Sequence, residues 1–393
     1  MRDPIKLKGR LQAKATCRSI LSAMIADNNQ NLKNTALPIY YWVQMQENQN
    51  DEKRLQELVT EFTKTQLATK DLYTNRVGRY ALLTYQIIAT KSSLQPAASQ
   101  LLAQVTNNIK KNQVTVDGSM PETALRPILT KRSWYRYMYA YINSMQGNTL
   151  LADNKIKEAG PYLKTAFEYA PDMLDIKGRG YFHDMLFLTG KHDESSFSSD
   201  YTGYLVKYST DKQQTLNDLL STALIYPSTK EQLKTFYNSN FSDRESFNDY
   251  WLKSVNKGAK EAPPFSLKQM DGNQFTLSDY KNKWVLLDFW GTWCGPCRSE
   301  HPDVEQFYKK VNSSYAEKIA MLTIACRDKA DDVTSYMNRN KYTFPVAMAD
   351  GLIGMIYNIN SYPSKILISP QGKYLVIPFG IDWIDYIKKY ADL

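Results

Sequence analysis

The chain is poor in the residues from which disulfide scaffolds and histidine metal centres are built. Its 393 residues include four cysteines and three histidines, so we expect neither a disulfide-stabilised scaffold nor a resident metal. Apolar residues nowhere run together for the roughly 18 positions that a membrane-spanning helix requires. The composition, 43% hydrophobic and 23% charged, is typical of a folded globular protein, and the length predicts two or three domains.

Positive charge exceeds negative charge, with a formal net charge of +9, which makes nucleic acid a partner class to test. The densest basic cluster lies near the start of the chain and includes Arg2, Lys6 and Arg10. No zinc-finger spacing, RNA-recognition signature or long basic block accompanies it. We therefore expect a mildly basic, solvated surface and no nucleic-acid partner.

The first residues do not resemble a secretory signal, because a polar, basic segment follows Met1 without an apolar core. Two interpretations stay open: a cytoplasmic protein, or an exported protein whose signal has been removed. Cys17 lies in the same segment and does not decide between them. We expect Cys17 to be a buried thiol on a helix.

Apolar residues recur at helical spacing through the first two thirds of the chain. Leu55, Leu58 and Phe62, for example, fall on one face of a helix. The pattern predicts an α-helical domain over residues 1–255 whose role the sequence does not indicate.

Part of this region is similar to a tetratricopeptide repeat. The repeat's Gly, small, large, small and Pro positions are matched in order by Gly147, Ala159, Leu163, Ala166 and Pro171. Its opening Trp and Leu are missing, and no period of about 34 residues recurs elsewhere. The helical domain is therefore predicted to be either an irregular bundle or a tetratricopeptide-like array.

The composition of the sequence changes at residues 256–264, where Gly and Pro predict a linker. Beyond it, predicted strands and helices alternate, and the strands include the apolar runs Trp284–Trp290 and Ile319–Ala325. Such alternation predicts an α/β domain over residues 265–393, with a central sheet covered by helices on both faces.

The segment Cys294-Gly295-Pro296-Cys297 lies at the junction of a predicted buried strand and a helix. A Cys-x-x-Cys pair in this position predicts a redox site. Free N–H groups and the positive end of the helix dipole stabilise a thiolate on Cys294, which would be the nucleophile. Cys297, one turn further on, is placed to resolve a mixed disulfide.

Two alternatives to a redox site are a structural disulfide and half of a zinc site. A zinc site needs two further ligands, and the sequence has no second Cys-x-x-Cys and no His-x-x-His. A structural disulfide would not need Gly295-Pro296 at a strand–helix turn. The redox interpretation is therefore favoured, with a redox-active Cys294–Cys297 disulfide and no cofactor.

Trp293-Cys-Gly-Pro-Cys297 resembles the active-site motif of the thioredoxin superfamily. Its surroundings match as well, because Asp288 falls at the family's buried acid and Pro363 at its cis-proline. The resemblance implies a thioredoxin fold in which Asp288 handles protons for the cysteines. It further implies that the substrate is bound by Trp293, Gly295, Pro296, Tyr362, Pro363 and Gly380.

The residues before the motif, beginning Ala262-Pro-Pro-Phe, resemble the start of TlpA/ResA-type redoxins. Glu300 falls at the acid of their Cys-x-x-Glu-x-Pro continuation, so it either handles protons or belongs to the solvated surface. These proteins are thiol–disulfide oxidoreductases of the periplasm or cell envelope, which is the location implied here. A large domain before the redox module is similar to multidomain thioredoxin-like proteins of Bacteroidetes-type bacteria.

Asp288 lies within an apolar strand, so burial is expected to raise the pKa of its carboxyl and make it a base for Cys297.

Cys326 follows another predicted strand and is either a core thiol or a third redox cysteine. Peroxidase activity is not expected, because the peroxiredoxin pattern Pro-x-x-x-Thr-x-x-Cys is absent and Thr292 stands only two residues before Cys294.

Two functional hypotheses follow. In the first, the protein is an enzyme that reduces protein disulfides and is itself reduced by an upstream dithiol donor. In the second, the helical domain binds a client and delivers this dedicated partner protein to the attached redox domain. The sequence names neither the client nor the electron donor.

Overall fold

The computed structural model describes residues 4–69, 71–112, 126–379 and 381–393, with the side chains of the first helix described from residue 12 onward. The chain forms two compact units, Met1–Tyr204 and Leu205–Leu393. The described part confirms the predicted architecture, a large helical region followed by an α/β domain.

The first unit is built from helices that share one apolar core, in which Phe62, Trp134 and Tyr137 are almost completely buried. Asp51 begins one helix by accepting a hydrogen bond from the Arg54 N–H at 2.9 Å, as an N-cap does. The described helices are α1 (Pro4–Ala26), α2 (Gln30–Glu47), α3 (Glu52–Thr65), α4 (Val77–Ile88), α5 (Gln95–Asn112), α6 (Arg126–Ala152), α7 (Ile156–Glu168), α8 (Met173–Gly178), α9 (Phe182–Thr189) and α10 (Ser196–Tyr208).

Helices α6 and α7 form the pair that the tetratricopeptide-like positions predict. Ala159, Leu163 and Ala166 of α7 are fully buried. A Cβ atom on Gly147 of α6 would lie 2.8 Å from the Leu163 side chain, so only glycine permits this close approach. For the unit as a whole, the irregular bundle and the tetratricopeptide-like array both stay predictions.

Buried ion pairs fasten α8 to α6. Arg132 Nη2 lies 2.7 Å from Asp172 Oδ2, and Arg136 Nε lies 2.8 Å from Asp175 Oδ2. Both arginine side chains and Asp175 are almost inaccessible to solvent. Removing one partner would leave an uncompensated buried charge, so these pairs fix the packing of α8.

Cys17 lies on α1 and is exposed, so the prediction of a buried helix thiol is wrong. Among the α1 side chains that the structure describes, Leu21 alone is buried. The described side chains of α1 therefore add little to the apolar core, and Cys17 faces solvent.

The second unit contains a six-stranded sheet in the order β1-β8-β7-β4-β5-β6 and a separate hairpin, β2-β3. The strands are β1 (Lys260–Glu261), β2 (Ser266–Lys268), β3 (Gln274–Thr276), β4 (Trp284–Trp290), β5 (Ile319–Ala325), β6 (Val346–Met348), β7 (Ser364–Ile368) and β8 (Lys373–Ile377). The helices are α11 (Lys212–Ile225), α12 (Lys230–Asn240), α13 (Phe247–Lys257), α14 (Gly295–Lys310), α15 (Ala330–Asn340), α16 (Ile353–Ile356) and α17 (Trp383–Ala391).

Strand β4 is the centre of the sheet and is buried along its whole length. It pairs with β5 in parallel and with β7 in antiparallel orientation. Alternate β4 side chains enter two apolar cores, because Leu286 and Trp290 belong to one and Leu287 and Phe289 to the other. The carboxyl ends of β4, β5 and β6 and the amino end of β7 consequently meet at one edge of the sheet.

The boundary between the units differs from the prediction of a helical domain over 1–255 and a linker at 256–264. Helices α11–α13 share an apolar core with the sheet, and β1, inside the predicted linker, pairs with β8. Gly258 caps the end of α13, and two prolines follow β1, but these residues do not separate two domains. Composition alone does not distinguish such a turn from a true linker.

Polar contacts reinforce this packing. Trp251 Nε1 donates to the carbonyl oxygen of Tyr390 at 3.1 Å, and the Tyr390 hydroxyl donates to the carbonyl oxygen of Leu224 at 2.9 Å. Lys230 Nζ, almost fully buried, donates to the carbonyl oxygen of Lys389 at 3.0 Å and lies 2.8 Å from Asp392 Oδ1. These contacts hold the carboxyl end of α17 against α11, α12 and α13.

We expect Lys230→Met to loosen α17 although it keeps most of the side-chain volume. The variant leaves the Lys389 carbonyl without its buried donor and removes the ammonium 4.6 Å from the Trp251 ring centroid, which costs about 1–3 kcal/mol. Amide hydrogen exchange within α17, followed by mass spectrometry on the full chain, should accelerate about tenfold or more. Lys234→Met, on the same helix and partly exposed, is the control. Unchanged exchange in the Lys230 variant would contradict this role.

Candidate active site

Cys294 and Cys297 form a disulfide, with an S–S distance of 2.03 Å. Cys294 is the N-cap of α14, and its Sγ accepts a hydrogen bond from the backbone N–H of Cys297 at 3.2 Å. Both residues are buried, at 5% and 1% exposure. The pair therefore occupies the strand–helix junction that the sequence predicts, with Sγ of Cys294 directed at the free N–H groups of the helix.

The residues around the disulfide are partly open to solvent. The Trp293 side chain is 52% exposed, and Gly295 and Pro296 are exposed. The Trp293 ring makes an edge contact with the Tyr362 ring at a centroid distance of 5.4 Å. The Tyr362–Pro363 peptide bond is cis, as the resemblance implies. The structure thus brings these predicted substrate-binding residues to one place, whereas Gly380 lies outside the described residues.

Asp328 fixes the loop that precedes Cys294. Its carboxylate accepts hydrogen bonds from the Thr292 N–H and, at 2.9 Å, from the Thr292 hydroxyl. Trp293 Nε1 donates to the carbonyl oxygen of Cys326 at 3.1 Å. The sequence analysis did not identify Asp328. Its position just beyond β5, at the edge where the parallel strands end, is the signal that would have indicated it.

Asp288 lies in the middle of β4 and is 1% exposed. Burial raises the pKa of its carboxyl, the nearby ammonium of Lys365 opposes that rise, and the Glu300 carboxylate adds to it. Lys365 Nζ lies 3.2 Å from Asp288 Oδ1 and 2.6 Å from Glu300 Oε2. The prediction of a buried acid with a raised pKa agrees with this geometry, and Glu300 takes part in the same cluster.

Lys365 is a second residue that sequence reasoning missed. It stands directly opposite Asp288 in the β4–β7 register, so the two side chains share one face of the sheet. Its side chain is 6% exposed. The signal was a lysine directly before the apolar run Ile366–Ile368 of β7, because a lysine buried in a strand requires an acidic partner.

His301 and Cys326 are buried near the site but carry no charge at neutral pH. Burial lowers the pKa of His301 to about 4, and its Nδ1 lies 2.8 Å from the Tyr336 hydroxyl. Burial also raises the pKa of the Cys326 thiol above its usual value. Cys326 is therefore a poor nucleophile in this conformation, and its alternative role as a redox cysteine remains a prediction.

Within the part of the chain that the structure describes, histidine, cysteine and acidic side chains form no group of three that could hold a metal ion. Over the same residues, none of the helices combines the length and the apolar character needed to cross a membrane.

A helix-capping disulfide at the end of a central strand, a buried acid behind it and a cis-proline loop beside it define a thioredoxin-type redox domain. The sequence model of the AhpC/TSA family matches residues 259–374. The thiol-disulfide oxidoreductase ResA of Bacillus subtilis is 31% identical over 160 residues, which cover 40% of this chain and 83% of that protein. ResA of Bacillus thuringiensis is 34% identical over 142 residues, covering 35% and 74%. The chain belongs to the ResA family of thiol–disulfide oxidoreductases.

Solved structures cover the same share of the chain. A thioredoxin-family thiol:disulfide interchange protein from Chlorobium tepidum is 29% identical, covers 34% of this chain and 94% of its own, and gives a TM-score of 0.31. The thioredoxin domain of a thiol-disulfide oxidoreductase from Bacteroides vulgatus is 24% identical, with coverages of 34% and 96% and a TM-score of 0.30.

We expect Cys294 to be the most reactive thiol of the reduced protein at neutral pH. The helix N-terminus favours its thiolate, whereas Cys17 is an exposed free cysteine in mid-helix and serves as an internal reference. Alkylation by iodoacetamide at pH 7, read out peptide by peptide by mass spectrometry, should modify Cys294 about tenfold faster than Cys17. Equal or slower modification of Cys294 would show that the helix terminus does not activate it.

Proposed function

We propose that the protein reduces disulfides in other proteins, with Cys294 as nucleophile and Cys297 as resolving cysteine. The observation that carries the proposal is the placement of Cys294 Sγ at the N-terminus of α14, 3.2 Å from the Cys297 N–H. A thiolate at that position is stabilised by the helix without a metal or an organic cofactor. Membership of the ResA family supports the same chemistry.

The reaction proceeds through a mixed disulfide. The Cys294 thiolate attacks one sulfur of the substrate disulfide, and the other sulfur leaves as a thiolate that takes a proton from water. Cys297 then loses its proton, attacks Cys294 Sγ and releases the second substrate sulfur as a thiolate. Two electrons pass to the substrate, and the Cys294–Cys297 disulfide forms.

Asp288 is proposed as the base that receives the proton of Cys297, directly or through one water. Its position within β4 places it on the sheet face whose core includes Trp290, Cys294 and Cys297. A carboxyl with a raised pKa is a better proton acceptor than an exposed aspartate, because proton affinity rises with pKa.

Substrate binding is proposed for the open side of the disulfide. Trp293 offers half-exposed apolar surface there, and Gly295 and Pro296 leave room for a second chain to approach. The resemblance to thioredoxins supports a role for Tyr362 and Pro363 in holding the substrate backbone, and for Gly380, whose placement is not described.

The dipeptide Gly295-Pro296 supports action as a reductant. It offers the Cys294 thiolate few contacts beyond those of the helix N-terminus. Because a weakly stabilised thiolate favours the oxidised form of the protein, the reduced form readily passes its electrons to a substrate disulfide. The protein must then be reduced again by an upstream dithiol donor. We propose a location in the periplasm or cell envelope from the resemblance to TlpA/ResA-type redoxins. Fractionation of the source cells would test this location.

An insulin-reduction assay with dithiothreitol as donor tests the proposed activity. Wild-type protein should accelerate precipitation of the insulin B chain, and Cys294→Ser should lose the acceleration because no mixed disulfide can form. In a single turnover without dithiothreitol, reduced Cys297→Ser should stay linked to an insulin chain as a mixed disulfide, visible as a mass increase. Cys17→Ser, which changes an exposed cysteine of the first unit, is the matched control.

Failure of the wild-type protein to reduce insulin would contradict the proposal of a general disulfide reductase. It would favour the second hypothesis, in which the first unit recruits a dedicated partner for the redox domain. That unit exposes two adjacent apolar side chains, Leu186 and Phe187 on α9, at 43% and 53%.

A further inference from the structure

A row of side chains connects the disulfide to a cation on its open side. The Trp293 ring meets the Tyr362 ring edge-on, and the guanidinium carbon of Arg327 lies 5.8 Å from the centroid of the same Tyr362 ring. Trp293 and Arg327 are exposed, and Tyr362 is half-buried. Because Trp293 directly precedes Cys294, the guanidinium borders the surface that is proposed to bind substrate.

The backbone holds Arg327 against the loop that precedes Cys294. The residue before it, Cys326, accepts a hydrogen bond at its carbonyl oxygen from Trp293 Nε1 at 3.1 Å. The residue after it, Asp328, accepts hydrogen bonds from the Thr292 N–H at 2.5 Å and from the Thr292 hydroxyl at 2.9 Å. Arg327 therefore lies between two residues that are both anchored to the active-site loop.

Arg327 has a left-handed backbone conformation, with a φ of 53°. Residues with a Cβ atom avoid this region, and Gly, Asn and Asp are the residues that adopt it most readily. Strained backbone of this kind persists where the surrounding structure imposes it, and it is concentrated at functional sites. The turn itself therefore does not explain why this position carries a long cationic side chain.

The positive charge of Arg327 is not neutralised within the fold. Among the residues that the structure describes, no carboxylate forms an ion pair with its guanidinium. The neighbouring Asp328 carboxylate is engaged by Thr292 and, at 3.1 Å, by the backbone N–H of Lys329. Lys329 is a second exposed cation. Residues 327–329 thus present two exposed positive charges and one engaged carboxylate beside the disulfide.

We propose that Arg327 is a specificity-determining residue that selects protein substrates with an acidic residue next to the disulfide that is reduced. The proposal rests on the function proposed above and names the class of its substrate, an acidic peptide segment. While Cys294 forms the mixed disulfide, the guanidinium contacts a carboxylate of the bound segment. The planar donors of arginine match the two oxygens of a carboxylate and bind them through parallel hydrogen bonds.

The exposure of Arg327 sets the size of the effect. Water and salt weaken an ion pair at an exposed site, so its contribution to binding is modest. At low ionic strength the same charge also attracts an acidic segment as it approaches, because screening is weak. The expected signature is a preference of several fold that disappears at high salt.

Three fluorogenic peptide substrates test this preference. Each consists of two short chains that are joined by one disulfide, with a fluorophore on one chain and a quencher on the other. The residues on both sides of each cysteine are Asp in the first substrate, Asn in the second and Lys in the third. Reduced full-length protein carrying Cys17→Ser is freed of dithiothreitol and mixed with each substrate. Each second-order rate constant is divided by that of dithiothreitol, which corrects for the intrinsic reactivity of the disulfide.

We expect the protein to reduce the Asp substrate about fivefold faster than the Lys substrate at low salt, and about equally fast in roughly 0.5 M salt. Arg327→Asn should remove most of the preference, and asparagine suits the left-handed backbone. Arg327→Asp should reverse the preference, and Arg327→Lys should retain it. Arg339→Asn, which changes an exposed arginine in the last turn of α15, is the matched control and should leave the ratio unchanged.

The proposal is overturned if the wild type shows no preference, or if Arg327→Asn retains it, because another cation such as the exposed Arg298 would then be its source. Equal slowing of all three substrates by Arg327→Asn would show a purely structural role and would also refute the proposal. If the protein reduces none of the substrates, the proposed reductase activity fails as well. Equal reduction of all three refutes the preference alone.

Discussion

The redox site depends on one junction, where the fully buried strand β4 ends and α14 begins. Because β4 is paired on both sides, its last residues are held rigidly, and Cys294 caps the helix that follows. The free N–H groups at that helix end are the means by which the protein can stabilise a thiolate. Asp328 holds the connecting loop, so the fold itself fixes the position of Cys294.

The burial that makes the junction rigid also means that a charged side chain on β4 needs a partner of opposite charge. An acid in the middle of β4 would be neutral and inert as a base without a cation nearby. Lys365, opposite Asp288 in the neighbouring strand, supplies that cation, and Glu300 connects it to the surface. Packing, register and the buried ion pair are thus linked through one pair of facing residues.

The sequence was sufficient for the features that local pattern encodes. The apolar run Trp284–Trp290 followed by Cys-x-x-Cys predicted the junction, and the resemblance predicted Asp288 and the cis-proline. It was insufficient for contacts between segments that are distant in the chain. The Asp288–Lys365 contact follows from the antiparallel register, and the packing of α11–α13 on the sheet follows from complementary apolar faces, neither of which periodicity specifies.

We propose that the Cys294–Cys297 pair is a reductant held in a thioredoxin-like environment. Equilibration of the full-length protein with mixtures of reduced and oxidised dithiothreitol, followed by alkylation and mass spectrometry of the two cysteines, gives their reduction potential. We expect a value near that of thioredoxin, about −270 mV. A potential close to the about −120 mV of DsbA would contradict it, because the pair would then oxidise its substrates.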